Sequence, residues 1–203
     1  MKVYSLSEPS VNRAEDQHAG LLVIGSWCYE GDRVCHTIRC EPYLVELSST
    51  GILTDFMWAY AGQTILFSQA SRQKLLFSDA ELDYKEIVAR HSSNASPRLF
   101  ENFLRSQYRI MVPKVALKID ITKTSVSNIV YCEKCGKRYF FISGGKIVFR
   151  GVPVGLNQLR IFTSNELGPN SSPIFLTESG VDALGEIPRT HYELLEVGLI
   201  YFD

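Results

Sequence analysis

The sequence predicts an α+β fold, mainly an antiparallel sheet with a few helices, in a single domain over residues 1–203. Segments rich in β-branched and aromatic residues occupy both ends of the chain, and helical patterns cluster between them. Strands and helices thus come in blocks, without the βαβ alternation of a parallel sheet. With 45% apolar and 21% charged residues, the composition is that of an ordinary globular protein. The alternative organisation divides the chain into residues 1–95 and 96–203.

The first sixty residues predict strands separated by turns. MKVYSLS, residues 1–7, suits an opening strand, which Pro9 ends. Two longer segments read as paired strands around the turn-like EGDR, and a further turn, SSTG, precedes another strand. The paired strands are GLLVIGSWCY and RVCHTIRCEPYLVEL, and the strand after SSTG is ILTDFMWAY.

The middle of the chain predicts helices. The first covers 64–77, and the second covers 79–91 and opens with a capping box formed by Ser78 and Glu81. The third follows Ser96 as N-cap and Pro97 in the first turn. The residues predicted to form their apolar faces are Ile65, Leu66, Leu75, Leu76, Leu82, Tyr84, Ile87, Val88, Leu99, Phe100, Phe103 and Leu104.

The C-terminal half returns to strands. YRIMVPKVALKIDIT is followed by two aromatic strands around a cysteine pair, and SGGK at 143–146 is a hairpin signal. LRIFTS predicts a short strand and NELGPNSSP a loop. TESGVDALGEI predicts a short helix with Thr177 as N-cap, and HYELLEVGLIYF a last strand.

Charge and hydropathy exclude several classes of partner. The chain has 21 Lys and Arg against 22 Asp and Glu, and no basic cluster that would neutralise a phosphate backbone. We therefore expect no nucleic-acid partner. The N-terminus lacks the apolar stretch of a signal peptide, and the longest aliphatic run, LLVI, is too short to span a bilayer. These patterns predict a cytoplasmic protein without a membrane partner.

Cys132 and Cys135, with two residues between them and Gly136 after them, have the spacing of a metal-binding knuckle. A structural zinc site needs two further ligands. The upstream candidates are Cys28, Cys35, His36 and Cys40, and of these we predict Cys28 and Cys35. Two interpretations stay open: a zinc clasp that ties the N-terminal strands to a central hairpin, and a turn without metal. A redox pair is less expected, because it should open a helix after a strand.

The sequence offers no positive sign of catalysis. It contains none of the common nucleophile, zinc-protease or phosphate-loop motifs. His91 is predicted to stabilise a helix C-terminus, and His191 to lie at the start of the last strand.

The order of these features resembles the bacterial double-CXXCG immunity proteins, which accompany swarming-inhibition toxins. The resemblance rests on MKVYSL, the cysteine-bearing strand before YLVELSSTGIL, the later CEKCG and the ending from RIFTSNELG onward, and residues 128–200 carry most of it. Where the family has its first CXXCG, this chain has WCYEGDRVCHTIRC, so only Cys132 and Cys135 match. The resemblance implies a cytoplasmic antitoxin that binds and neutralises a cognate toxin without catalysis.

The alternative function is a small zinc-dependent or thiol-based enzyme that uses Cys132 and Cys135. Such an enzyme would need further ligands, an open coordination position and a general base near the pair.

Overall fold

The structure, a computed structural model, describes residues 1–7, 21–24, 26–30, 33–38, 43–47, 52–59, 64–93, 95–133, 136–151, 158–167 and 173–201. The turn predicted at 48–51 lies outside these residues, as does most of the loop predicted after Ser164. Strands make up 49% of the structure, against three short helices in the described part of the chain. The predicted α+β class is confirmed in this coarse form.

The described strands and helices are numbered here in chain order. The strands are β1 Lys2–Ser7, β2 Leu21–Ile24, β3 Ser26–Glu30, β4 Arg33–Ile38, β5 Tyr43–Leu47, β6 Phe56–Ala59, β7 Thr64–Phe67, β8 Leu82–Lys85, β9 Ile87–His91, β10 Arg109–Pro113, β11 Lys118–Ile119, β12 Val126–Cys132, β13 Lys137–Ile142, β14 Ile147–Arg150, β15 Ile161–Thr163, β16 Ile174–Thr177 and β17 Glu193–Tyr201. The helices are α1 Gln69–Lys74, α2 Pro97–Arg105 and α3 Glu178–Asp182, and a 3-10 turn spans Arg189–His191.

One sheet has seven strands in the order β8-β10-β7-β6-β2-β5-β9. Its two outermost strands are consecutive in the chain, with only Glu86 between them. The segment 82–91 therefore pairs with β10 through its first half and with β5 through its second half. A sheet whose two edges meet in one segment closes on itself like a barrel.

Alternate residues of this closed sheet face two different cores, as the period of a strand requires. Leu66 packs inside the barrel, whereas Ile65 and Phe67 of the same strand pack outside it. The barrel cluster consists of Val45, Leu47, Met57, Leu66, Ala95, Phe103, Tyr108 and Ile110. The intersheet cluster consists of Leu6, Phe56, Trp58, Ile65, Phe67, Leu75, Phe77, Leu82, Met111, Ile161, Ile174, Leu176, Ala183, Leu184, Ile187 and Tyr192.

A second sheet has six strands in the order β11-β14-β17-β1-β16-β15. Every residue of β15 and β16 is buried, and these two strands are apolar runs that end in threonine. One face contributes to the intersheet cluster, and the other packs on an outer cluster. The outer cluster consists of Val3, Leu117, Ile119, Phe140, Phe149, Phe162, Phe175 and Ile200.

Each of the two large sheets contains a strand from the other side of the predicted division at residue 95. β1 lies in the six-stranded sheet between β16 and β17, and β10 lies in the seven-stranded sheet between β7 and β8. The organisation into a single domain over 1–203, or into 1–95 and 96–203, stays a prediction.

Two small antiparallel hairpins, β3–β4 and β12–β13, complete the fold. Strand pairing is parallel at β2–β6, β5–β9 and β14–β17 and antiparallel at the other described pairs. No helix in the described ranges is long and apolar enough to cross a lipid bilayer.

The predicted helix caps are confirmed at two of the three helices. Ser96 Oγ accepts a hydrogen bond from Leu99 N at 3.1 Å, with Pro97 in the first turn of α2. Thr177 caps α3 by accepting from Gly180 N. On α2, Phe103 is buried as predicted, but Leu104 is 51% exposed.

The helix predicted over 79–91 is wrong, because this segment forms β8 and β9. Half of the capping box forms, because Glu81 Oε2 accepts from Ser78 N at 2.8 Å. Ser78 Oγ donates to the same carboxylate oxygen at 2.9 Å, and Glu81 N donates to the carbonyl oxygen of Ser78 at 3.0 Å. Leu82 and Tyr84 also fit the period of a strand, and four pairs with β10 fix that choice. The helix predicted over 64–77 is half wrong: its first part is β7, and only Gln69–Lys74 is helical.

The predicted SGGK hairpin is a turn between two sheets. Gly144 and Gly145 have φ of +122° and +78°, values that favour glycine. The strands on either side do not pair, because β13 pairs with β12 and β14 pairs with β11 and β17. The local turn is therefore confirmed, and the hairpin pairing is wrong.

Gly198 sits where β17 passes close to β14. A Cβ at this position would lie 2.1 Å from the carbonyl oxygen of Ile147. We expect Gly198→Ala to lower the free energy of unfolding by about 3 kcal/mol, because the central strands would have to separate. Urea unfolding measures this loss. Leu195→Ala in the same strand, where the side chain is 50% exposed, should change stability by less than about 0.5 kcal/mol. Equal effects of the two changes would contradict the close strand approach.

Candidate functional site

The β12–β13 hairpin carries the cysteine motif. Its ladder runs from Val126 opposite Ile142 to Cys132 opposite Lys137. Gly136 has a φ of +66°, and its N–H donates to the carbonyl oxygen of Cys132 at 2.8 Å. The predicted pair of aromatic strands around a tight turn is therefore confirmed, with glycine at the position that requires positive φ.

The four candidate zinc ligands are described to different extents. Cys132 is fully buried at the end of β12. Cys135 lies outside the described residues, and so does Cys40. In the backbone of the other hairpin, Cys28 pairs with His36, next to Cys35.

The two cysteine-bearing hairpins belong to different sheets. Within the described residues, no three His, Cys, Asp or Glu side chains gather as a metal site would require. Cys132 is the one candidate thiol whose side chain is described, so the zinc clasp stays a prediction.

The hairpin is held to the body of the protein by one side of β13. Phe140 is buried in the outer cluster, and its N–H donates to the carbonyl oxygen of Glu166 at 2.6 Å. The carboxylate of Glu166 in turn accepts from Ile119 N at 2.7 Å, which links the hairpin to β11. A two-stranded ribbon has little stability alone, so these contacts fix its position.

The hairpin also exposes apolar and cationic side chains. Ile129 and Tyr131, two residues apart on one face of β12, are 51% and 53% exposed. Arg138 pairs with Tyr131 across the ladder and is exposed, with no ion pair or hydrogen bond to any described residue. We call Ile129, Tyr131 and Arg138 the hairpin face. Tyr and Arg are the residue types that most often dominate the energy of protein interfaces.

One edge of β12 has no partner strand within the part of the chain that the structure describes. Among the described strands β12 pairs with β13 alone, along residues 126–132. An exposed edge of this length can accept an extended segment of another protein by main-chain hydrogen bonding. The hairpin therefore offers both side-chain and main-chain contacts to a partner.

A second polar cluster, around Asp55, was not predicted from the sequence. Lys74 Nζ donates to both carboxylate oxygens of Asp55, at 3.0 and 2.9 Å, and Ser71 Oγ donates to Oδ1 at 2.8 Å. His191 Nδ1 lies 3.4 Å from Oδ2 and accepts from Asp55 N at 3.3 Å. The only signal for this cluster in the sequence is a single acidic residue in the apolar segment ILTDFMWAY.

The Asp55 cluster joins three separate elements. It connects the segment before β6, helix α1 and the 3-10 turn, and Trp58 Nε1 adds a hydrogen bond to the carbonyl oxygen of His191 at 3.1 Å. Burial raises the pKa of Asp55, but the hydrogen bonds from Lys74 and Ser71 outweigh it and leave this pKa below its ordinary value. The carboxylate is therefore held in its ionised form.

The same geometry does not suit nucleophilic catalysis. Ser71 is fully buried, and its hydroxyl donates to Asp55 and not to an imidazole. A serine nucleophile needs a base that removes its proton and a path for substrate. The arrangement is that of a structural tie between elements.

The remaining predicted histidine has a local role. His91 ends β9, and the predicted helix terminus is wrong. Its Nε2 lies 2.8 Å from the carbonyl oxygen of Ala95, and its ring packs 5.0 Å from that of Phe100 on α2.

No protein-family model, no curated protein and no solved structure matches this chain. The resemblance to the double-CXXCG immunity proteins therefore rests on the residues quoted above, with Cys132 and Cys135 as its motif cysteines.

Asp55→Asn should destabilise the protein near neutral pH by about 2 kcal/mol, because Lys74 would lose its ionic partner. The pKa of Asp55 is lower in the folded protein than in the unfolded chain. The carboxylate therefore contributes fully to the free energy of unfolding above the unfolded-state pKa of about 3.9, and this contribution is lost as the pH falls through the folded-state pKa. Urea unfolding from pH 7 to pH 3 should show the difference between parent and variant shrinking with acidity. Asp79→Asn removes a pair with an 82% exposed carboxylate and should cost less than about 1 kcal/mol. A difference for Asp55→Asn that is constant over this pH range would contradict the assignment.

Cys132→Ser should lower the free energy of unfolding by about 2 kcal/mol, because it places a hydroxyl in a fully buried position. Metal analysis of the purified parent and variant decides between the two interpretations of the knuckle. A zinc clasp predicts bound zinc in the parent, and its loss in both Cys132→Ser and Cys132→Ala. A turn without metal predicts no zinc in any of the three, with Cys132→Ala less destabilising than Cys132→Ser.

Proposed function

We propose that this chain is an immunity protein, an antitoxin that binds and neutralises a cognate toxin without catalysis of its own. The observation that carries the proposal is the hairpin face, a Tyr, an Ile and an exposed Arg side by side on a ribbon anchored by buried Phe140. The resemblance of residues 128–200 to the double-CXXCG immunity proteins supports the same conclusion. An immunity protein needs a rigid scaffold and a complementary surface.

The hairpin face determines the chemistry of the partner surface. Tyr131 and Ile129 supply apolar area, and Arg138 supplies a guanidinium that can bind a carboxylate in bidentate fashion. The complementary toxin surface therefore combines an apolar patch with an Asp or Glu side chain. The net charge of −1 gives no long-range attraction, so affinity depends on these short-range contacts.

The burial of Cys132 speaks against the thiol-enzyme alternative. A nucleophilic thiolate is found in a partly exposed, electropositive environment, whereas Cys132 is fully buried. In the proposed immunity protein this residue supports the hairpin from behind.

Co-expression with the product of the gene immediately upstream tests the function. We expect that product to arrest growth of a bacterial host, and this chain to restore growth and to copurify with it. A neighbouring product that is harmless, or a toxin that neither binds the chain nor is neutralised by it, would contradict the proposal.

Tyr131→Ala combined with Arg138→Ala should weaken binding to that toxin by about a hundredfold or more, since interface residues of these types each contribute about 2 kcal/mol. Calorimetric titration measures the affinity, and a growth assay measures protection. The matched control is Leu104→Ala with Arg105→Ala on α2, where the side chains are also exposed. If the control weakens binding and the hairpin variant does not, the surface is wrongly assigned.

A further inference from the structure

Two residues of the hairpin face direct their backbone groups to the open edge of β12. Phe140 N donates to the carbonyl oxygen of Glu166, outside the hairpin, so Phe140 and its partner Ile129 form a non-hydrogen-bonded pair. In an antiparallel ladder such pairs alternate with hydrogen-bonded ones, so Tyr131 opposite Arg138 is a pair of the same kind. The backbone N–H and C=O groups of Ile129 and Tyr131 therefore point away from β13.

The two edges of the ribbon differ in what covers them. The outer edge of β13 is covered, because Phe140 bonds to Glu166 and forms a bridge with Leu167. At the edge of β12, no hydrogen bond joins the backbone of Ile129 or Tyr131 to a described residue outside the hairpin. Both residues are more than half exposed. The edge of β12 is therefore accessible to another chain.

The sequence of β12 lacks the features that prevent strand addition at an exposed edge. Proteins usually protect such edges with charged side chains, proline or a bulge. The strand reads VSNIVYC, without a charged residue, proline or glycine, and its register shift lies between Val126 and Asn128. Beyond that shift, the five residues from Asn128 to Cys132 pair regularly with β13. This stretch is flat and unprotected on its other side.

Exposed apolar side chains lie on both faces of the ribbon. Ile129 and Tyr131 lie on the hairpin face, whereas Phe141, which pairs with Asn128 on the opposite face, is 40% exposed. Successive residues of a strand alternate between the two faces, so an added strand would place side chains beside both. A partner that lies on one face would leave the other uncovered. This distribution therefore favours addition at the edge.

The exposed side chains also indicate the composition of the added segment. Opposite Ile129 and Tyr131, β-branched or aromatic residues make favourable cross-strand pairs. Arg138 lies two strands, or roughly 10 Å, from the position opposite Tyr131, a separation that an Arg and a Glu side chain span together. A carboxylate at that position would complement the guanidinium. The matching segment is therefore mainly apolar and carries an acidic residue.

We propose that the cognate toxin donates an extended segment of about five residues, which pairs with the open edge of β12 as a third strand of the ribbon. This inference rests on the proposed function, because it names the element of the toxin that the hairpin binds. Main-chain hydrogen bonds supply the affinity of such an addition, and alternate side chains supply its specificity.

Hydrogen exchange of single amides, measured by NMR, tests this pairing in the complex with the toxin encoded immediately upstream. The amides of Ile129 and Tyr131 should exchange rapidly in the free chain, because they point away from β13. In the complex they should exchange at least about a hundredfold more slowly. The amide of Val130 points toward β13, so it is the internal control and should change less.

Two substitutions at Ile129 separate strand addition from contact by the side chain alone. Ile129→Ala removes the side chain and keeps the N–H, whereas Ile129→Pro removes both without breaking a hydrogen bond to β13. The proline variant should bind the toxin at least about tenfold more weakly than the alanine variant. Circular dichroism and urea unfolding check that both variants fold. If the proline variant does not fold, the exchange measurement decides.

Failure of strand addition can be told from failure of the proposed function. If the upstream product does not bind, both are overturned. If it binds and is neutralised, strand addition alone is overturned when the amides of Ile129 and Tyr131 exchange as in the free chain, or when the folded proline and alanine variants bind equally. If both amides are already protected in the free chain and ultracentrifugation shows a dimer, a second copy of the chain occupies the edge in place of the toxin.

Discussion

The segment 82–91 pairs with both edges of one sheet, and the rest of the structure depends on that closure. Once β8 is paired with β10 and β9 with β5, the strands must curl, and every second side chain turns inward to the barrel cluster. The alternate side chains then form an apolar outer wall that must be covered. The six-stranded sheet covers it, and because this second sheet is itself apolar on both faces, its other face requires the outer cluster and the β12–β13 hairpin.

Two ion pairs fix how these layers meet. Arg160, just before β15, donates through Nε to Glu81, just before β8, at 2.7 Å and bonds the second carboxylate oxygen through its other nitrogen. This two-bond ion pair joins the six-stranded sheet to the start of segment 82–91, which closes the barrel. Asp55 makes an equivalent connection between α1 and the turn before β17. Both carboxylates are mostly buried and hydrogen-bonded several times, so the loss of one partner would leave an unpaired charge.

Local chemistry made part of this structure predictable from the sequence. Ser96 with Pro97, and Thr177, predict helix starts because a cap is formed by residues within one turn. The β12–β13 hairpin is predictable for the same reason, since its turn and both strands lie within 17 residues, Val126–Ile142. Residues 79–91 show the limit of such reasoning. Half of their predicted capping box forms, yet their conformation is decided by β10 and β5, and no local pattern reveals those partners.

The candidate sites divide in the same way. Tyr131 and Arg138 are recognisable as aromatic and basic residues of a hairpin, but their exposure depends on how the hairpin packs on distant segments such as Glu166 and β11. The partners of Asp55 come from positions up to 136 residues away, so the cluster exists only in the folded chain. The ladder between β7 and β10 stops after two residue pairs, and no sequence pattern marks that point.

The hairpin shows how burial and exposure are combined in one ribbon. Along β12, Cys132 is buried and Tyr131 is exposed, and along β13, Phe140 is buried and Arg138 is exposed. Phe140 holds the ribbon to the outer cluster, so the exposed side chains are held in position. Fixing them in advance lowers the entropy lost on binding, which is where preorganised interfaces gain affinity. In the proposed immunity protein, buried Cys132 lies inside the ribbon, and the neighbouring aromatic and cationic side chains are the ones that would contact the toxin.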